Sequence, residues 1–262
     1  MTTPTDASKP SSARIYDYFL DGEEWFGADE AFAKILMADD MWVRDACRAN
    51  RGFLLRAARK VAEKGVTQVL EIGCGLPTRP NVHETVRSVQ PGARVAYVDN
   101  DLTVVIHNHA NVDEPDGVVT IEGDLKQPHD ILNNPQIREL LDFTQPIALI
   151  LVGVWHFLPG PDTGKIMDVL CDALAPGSYV VLSHACSDAM TKEKKAAGQD
   201  VYRQTSNPAH PRSTEEIRLL VDGLELLSPG LVPVAEWNPV DGDPYPENAP
   251  AVIGAVGMIS KR

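Results

Sequence analysis

The sequence predicts an α/β fold: a mostly parallel sheet with helices on both faces, preceded by a helical segment. Three observations carry this. After Gly65, apolar runs of strand length alternate with helical stretches. The apolar runs are nearly continuous in Val, Ile and Leu, as in strands buried on both faces. Before Gly65 the rhythm is helical throughout, with no strand signal. Strand alternating with helix is the pattern of a parallel sheet with crossover helices.

The elements follow in order. The start, "MTTPTDASKPSSA", is polar and lacks an apolar core, so residues 1–13 are expected to be a disordered tail and not a secretory signal. Residues 14–64 are expected to form a helical lid. Apolar positions recur there at spacings of three and four: Ile15, Tyr18 and Phe19, then Phe32, Ile35 and Leu36. A second helical run, Trp42 to Lys64, stops at Gly65. Residues 65–262 carry the sheet. Strands are expected at 66–72, 93–99, 117–123, 146–153 and 177–184. "NVHETVRSVQ", "LTVVIHNHAN", "ILNNPQIRELL" and "GKIMDVLCDAL" are the helices between them. Residues 187–212 are polar, a second wall of the site or a loop. Ser213 and Glu216 then form a capping box for the next helix. Two last strands, in "LVPVAEW" and "AVIGAVGMIS", are expected to pair as an antiparallel hairpin.

Composition narrows the function. Acids outnumber bases 37 to 24, a formal net charge of −13, so no nucleic-acid partner is expected. No apolar run is long enough for a membrane span. The four cysteines, Cys47, Cys74, Cys171 and Cys186, share no Cys-x-x-Cys spacing. They read as reduced thiols of a cytoplasmic protein.

The chemistry concentrates in "QVLEIGCGLPT". In an open parallel sheet, ligands bind beyond the carboxyl ends of the strands. Gly73 and Gly75 permit a tight turn there and let backbone amides approach a ligand. A dinucleotide fold wants G-x-G-x-x-G, but the third position here is Thr78, and Pro77 and Pro80 delay the helix. S-adenosylmethionine carries an ammonium in place of a pyrophosphate, and Glu71 suits it. Asp99, in "YVDND", is placed for ribose hydroxyls unless it caps the next helix, a role open also to Asn100 and Asp101. Asp124, in "EGDL", is placed for an adenine amino group and Leu125 for the ring face; the plain alternative is a turn aspartate. Three polar strand ends in series favour S-adenosylmethionine as cofactor.

On "RIYDYFLDG", "RANRGFL", "EIGCGLPTRPNVHE", "VAYVDND", "LLDFTQPIAL" and "LAPGSYVVLSH", in that order, the chain resembles a class I S-adenosylmethionine-dependent methyltransferase. More narrowly, it resembles a largely uncharacterised family of bacterial S-adenosyl methyltransferases. The resemblance runs from about Arg14 to the C-terminus. It implies a Rossmann-like, seven-stranded sheet with the last strand antiparallel. It also implies cofactor roles for Glu71, Gly73, Gly75, Asp99 and Asp124, with Cys74 inside the first motif. The family more usually has glycine where this chain has Asp21.

Methyl transfer needs alignment and water exclusion more than a dedicated triad. His156, in "GVWHFLP", is the candidate base; His83 and His184 rank below it. The polar-Pro-Pro-aromatic signature of adenine N-methylases is absent there, which argues against DNA base methylation. His107 and His109 lack a third ligand, so no metal is expected. Tyr16, Tyr18, Phe19, Trp25 and Phe26 are the lid aromatics, with Tyr16 a candidate cover for the cofactor, and Arg51 or Arg14 a candidate for its carboxylate. The expected function is O- or N-methylation of a small-molecule acceptor, with the oligomeric state left open and a dimer as one option. The alternatives are a cofactor-binding sensor or accessory protein without transfer, and an NAD(P) oxidoreductase.

Overall fold

The computed structural model describes residues 6–37, 42–112, 117–160, 163–188, 208–241 and 252–260. Helices α1 (Ser12–Phe19), α2 (Gly27–Leu36) and α3 (Trp42–Glu63) come first. The alternating part follows: β1 (Gln68–Ile72), α4 (Val82–Arg87), β2 (Arg94–Asp99), α5 (Leu102–Asn111), β3 (Val118–Glu122), α6 (Pro128–Leu132), α7 (Pro135–Leu140) and β4 (Ala148–Leu151). A 3₁₀ turn (Trp155–Phe157), α8 (Thr163–Asp172), β5 (Tyr179–Ala185), α9 (Thr214–Leu220), β6 (Glu225–Leu226), β7 (Val232–Pro233) and β8 (Val252–Met258) complete it.

The strands lie in the order β3-β2-β1-β4-β5-β8-β6, with β7 also paired to β8. The first five are parallel. β8 runs antiparallel to β5 over its whole length, Tyr179↔Met258 to Ala185↔Val252. The order reverses between β1 and β4, so the carboxyl ends of those two strands open the crevice where ligands bind.

The C-terminal expectation holds in part: β7 pairs antiparallel with β8. Only Val232 and Pro233 of "LVPVAEW" pair with β8, and Val234–Glu236 turns into a 3₁₀ helix. Pro233 has no N–H to continue a ladder. A short strand the sequence did not signal, β6, also pairs with β8. "ILNNPQIRELL" is two helices, because Asn134 caps α7 and Pro135 opens it.

Alternation along β1 assigns its faces. Val69 joins the core layer of Phe53, Val61 and Trp237 beside α3 and α4. Leu70 and Ile72 join the opposite layer, with Ile131 and Ile137 of α6 and α7. Glu71 therefore points toward α3. α3 packs on the sheet, with Phe53, Ala57 and Val61 fully buried. α1 and α2 form the cap, on a small core of Ile15, Phe19, Phe32, Ala33 and Val43.

Candidate functional site

The glycine turn after β1 is built differently from the sequence expectation. Gly73 and Gly75 both take positive φ, +77° and +67°, which glycine adopts without strain. The turn's amides, however, are already used. Those of Gly73 and Cys74 donate to the Val98 carbonyl at 2.7 and 3.2 Å. That of Gly75 donates to Asp99 Oδ2 at 2.9 Å. The two glycines also differ in purpose. A Cβ on Gly73 would meet the Val154 side chain at 2.6 Å, so its bareness lets the loop after β4 close down. A Cβ on Gly75 would meet nothing within 4 Å, so the turn opens on free space there. Asn108, which the sequence reading missed, steadies the turn by donating to the Gly75 carbonyl at 3.0 Å.

Asp99 ends β2 nearly buried, and its Oδ1 accepts from the Asp101 amide at 3.0 Å. Burial lifts its carboxyl to about 6, against the pull of the Asp101 and Gly75 amides. The helix cap is Asp101, which accepts from the Thr103 amide at 2.9 Å, so Asp99 is free of that task. Asn100 beside it is exposed. Asp124 Oδ1 closes a turn by accepting from the Lys126 amide at 2.9 Å. Leu125 is buried in the core with Ile121 and Ile131.

The polar centre of the site lies between β1 and α3. Glu71 is 4% exposed, and among the described residues its Oε2 has no hydrogen-bond partner. Burial pushes its carboxyl up to about 8; the Arg51 guanidinium opposes the rise and the Asp99 carboxylate adds to it. Arg51 Nη2 donates to the carbonyls of Thr78 and Pro80, while its Nε is sealed in without a partner. Next to it on α3, Asn50 donates from Nδ2 to Tyr16 Oη at 3.2 Å, and its Oδ1 is unpartnered. Tyr16 itself donates to the Cys47 carbonyl at 3.0 Å. Asn50 also sits close to Gly153, the first glycine after β4: a Cβ there would lie 3.0 Å from Asn50 Nδ2. The sequence reading missed Asn50, although it stands four residues after Ala46 and three before Phe53, a polar residue on an apolar stripe.

Other candidates are placed elsewhere. Arg14 is buried in an ion pair with Asp29 at 2.7 Å, so it cannot serve a ligand carboxylate. His83 holds Tyr97: its amide donates to Tyr97 Oη at 2.9 Å, and its Nδ1 lies 3.0 Å from the same oxygen. Tyr18 packs edge-on against Trp25, and Phe26 lies under the Arg14 guanidinium, so these aromatics anchor the cap. His107 pairs with Glu24 at 3.4 Å.

His156 lies in the 3₁₀ turn after β4, with its ring 5.9 Å from that of His184. Its Nδ1 is sealed and unpartnered. Burial, then the charges of His184, Arg212 and His210, push it down to about 3. At neutral pH it is therefore an uncharged hydrogen-bonding group, and a weak base.

The residues fit S-adenosylmethionine. An unpaired acceptor on Glu71, an unpaired donor on Arg51 and an unpaired acceptor on Asn50 match an amino-acid end with its ammonium and carboxylate. Among the described residues no group of three or more His, Cys, Asp or Glu could hold a metal ion, and no helix is long and apolar enough to cross a membrane.

Comparison with known proteins agrees with this chemistry. A candidate methyltransferase from Thermobifida fusca YX superposes with a TM-score of 0.89 at 34% identity, over 98% of this chain and 97% of that one. A DUF574 family protein from Streptomyces avermitilis MA-4680 superposes with a TM-score of 0.90 at 33% identity, over 97% and 98% of the two chains. Human N-acetylserotonin methyltransferase, solved with S-adenosylmethionine, shares the fold at 12% identity and a TM-score of 0.51, over 98% of this chain and 65% of that one. No match is found among curated proteins. The S-adenosyl methyltransferase family model matches residues 1–262, and the chain belongs to that family.

Proposed function

We propose that this protein methylates a small-molecule acceptor, at oxygen or nitrogen, with the cofactor held across the carboxyl ends of β1, β2 and β3. S-adenosylmethionine supplies an electrophilic methyl group on a sulfonium. Glu71 accepts from the ammonium, Arg51 Nε donates to the carboxylate, and Asn50 Oδ1 completes the grip beside Tyr16. Asp99 accepts from ribose hydroxyls with the lone pairs its two amide bonds leave over. Asp124 reaches the adenine edge, and the turn of Gly73, Cys74 and Gly75 forms the floor, with Asn100 and Leu125 flanking the nucleoside.

The observation that carries this reading is the set of unpaired buried atoms on Asn50, Arg51 and Glu71. Leaving such a group unsatisfied costs about 1–3 kcal/mol each. Three of them, on β1 and on adjacent residues of α3, are a strain that a zwitterionic ligand relieves. The test is calorimetric titration with S-adenosylmethionine and with NAD. Saturable binding of the first alone supports the reading; binding of NAD alone overturns it.

A further inference from the structure

At the carboxyl ends of β4 and β5 there is a second polar cluster, which cofactor binding does not use. Arg212 is its hub. Its Nη1 lies 2.7 Å from His184 Nε2, and its Nη2 donates to the Leu158 carbonyl at 2.9 Å. His184 is fully buried, with Nδ1 2.8 Å from the Ala185 carbonyl. These contacts fix its tautomer. Nδ1 carries the hydrogen toward the carbonyl, and Nε2 offers its lone pair to the guanidinium. His184 is therefore held neutral, and burial with the Arg212 charge pushes it down to about 4. Backbone bonds strap the segment in place: the His210 amide donates to the His156 carbonyl at 2.6 Å, and the Arg212 amide to the Ala185 carbonyl at 3.2 Å.

Two features remain unanswered inside this cluster. No carboxylate of the described residues lies within 4.0 Å of Arg212; Glu216 is the acid that acts on it, from farther off. Among the described residues, His156 Nδ1 is buried with no partner. The groups that act on His156 are His184, Arg212 and His210, with no acid among them. The cluster also adjoins the cofactor cleft: Val154, whose side chain covers Gly73, lies two residues before His156.

We infer that this cluster is the acceptor site, and that it takes a small acidic hydroxyl compound, such as a phenol or enol, as its oxyanion. The inference rests on the methyltransferase reading above and narrows it to oxygen. A positive guanidinium and a neutral imidazole favour an anion and disfavour an ammonium. His156 donates a hydrogen bond to the oxyanion and takes no proton. In the transfer the ionised oxygen forms the bond to the methyl carbon as the carbon–sulfur bond breaks. The electron pair leaves on sulfur as a neutral thioether, and no proton needs removal. A weak base at position 156 is then no obstacle.

The test uses the full chain saturated with S-adenosylhomocysteine, its binding first checked by calorimetry; failure at that stage counts against the cofactor reading alone. The complex is then titrated with 4-nitrophenol, whose visible absorbance reports its ionisation, and with 4-nitroaniline as the uncharged counterpart. We expect saturable binding of the phenolate, an apparent phenol pKa lowered by about one unit or more, and at least tenfold weaker binding of the aniline. Arg212→Gln should abolish the lowering, while Arg212→Lys retains most of it. Unchanged S-adenosylhomocysteine affinity certifies that either variant is folded. Binding as the neutral phenol, equal binding of the aniline, no saturable binding of the phenol, or a lowering that survives Arg212→Gln would overturn the inference.

Discussion

The Gly75 amide donates to Asp99 Oδ2 at 2.9 Å, which joins the turn after β1 to the acid ending β2. The other oxygen of Asp99 accepts from the Asp101 amide. Asparagine cannot replace it, because its NH₂ would face one of two donors. Asp99→Asn should therefore behave much like Asp99→Ala, each losing about 1.5–3 kcal/mol of stability and at least tenfold in cofactor affinity. Chemical denaturation and calorimetry check both. An Asn variant with wild-type stability would contradict the arrangement.

Glu71 makes the ligand-free protein sensitive to pH. Its folded carboxyl titrates at about 8, against an ordinary 4.5. The folded state therefore holds an extra proton between these limits, so stability falls as pH rises from 4.5 toward 8. Asp99 adds the same trend between 3.8 and about 6. The Glu71 contribution is on the order of a few kcal/mol. Urea midpoints from pH 5 to 8.5 should fall for the wild type and flatten above pH 6 in Glu71→Gln; parallel curves would refute the assignment.

The cap on α1 and α2 depends on one buried carboxylate. Asp29 accepts from Arg14 Nε at 2.7 Å and from the Ser11 and Phe26 amides, both at 2.8 Å. Asp29→Ala leaves a buried guanidinium unpaired and should cost about 3–5 kcal/mol. Because Tyr16 lies on α1, cofactor affinity should fall with it. Limited proteolysis should show early cleavage near residues 20–37; an unchanged digestion pattern would show that the cap does not need this pair.

Asp21 takes a left-handed backbone conformation. Its φ is +61°, which glycine would adopt without strain. The side chain compensates through ion pairs with Arg44 and Arg48 at the surface. Exposed pairs are worth about 0–1 kcal/mol and are screened by salt. Asp21→Gly should leave stability within about 1 kcal/mol of wild type at low salt and compare more favourably in 1 M salt. Thermal melts at two ionic strengths decide this.

Much of this was legible in the sequence. The five parallel strands and α5 were readable because a strand buried on both faces must be apolar along its length, and because Gly65 and Asp101 punctuate sharply. The Ser213–Glu216 capping box was readable for the same local reason, and it is present. What depends on partners distant in sequence was not readable. β6 is two residues long and exists only because β8 passes it. Whether Arg14 or Arg51 serves the cleft depends on Asp29, which claims Arg14 from a neighbouring helix. The turn amides looked available because nothing local reveals that the Val98 carbonyl and Asp99 accept them. Asn50 left one trace, polarity on an apolar helix face, and that alone does not say which strand it meets.

The most direct test of the cofactor grip compares two ligands. S-adenosylmethionine carries the amino-acid end; 5′-methylthioadenosine has the same nucleoside without it. In calorimetric titrations, Asn50→Ala and Glu71→Gln should each weaken S-adenosylmethionine about tenfold or more, the equivalent of about 1.4 kcal/mol, and leave methylthioadenosine unchanged. Asp99→Ala should weaken both. Equal losses for the two ligands in the Asn50 and Glu71 variants, or no loss of S-adenosylmethionine affinity in either, would contradict the account.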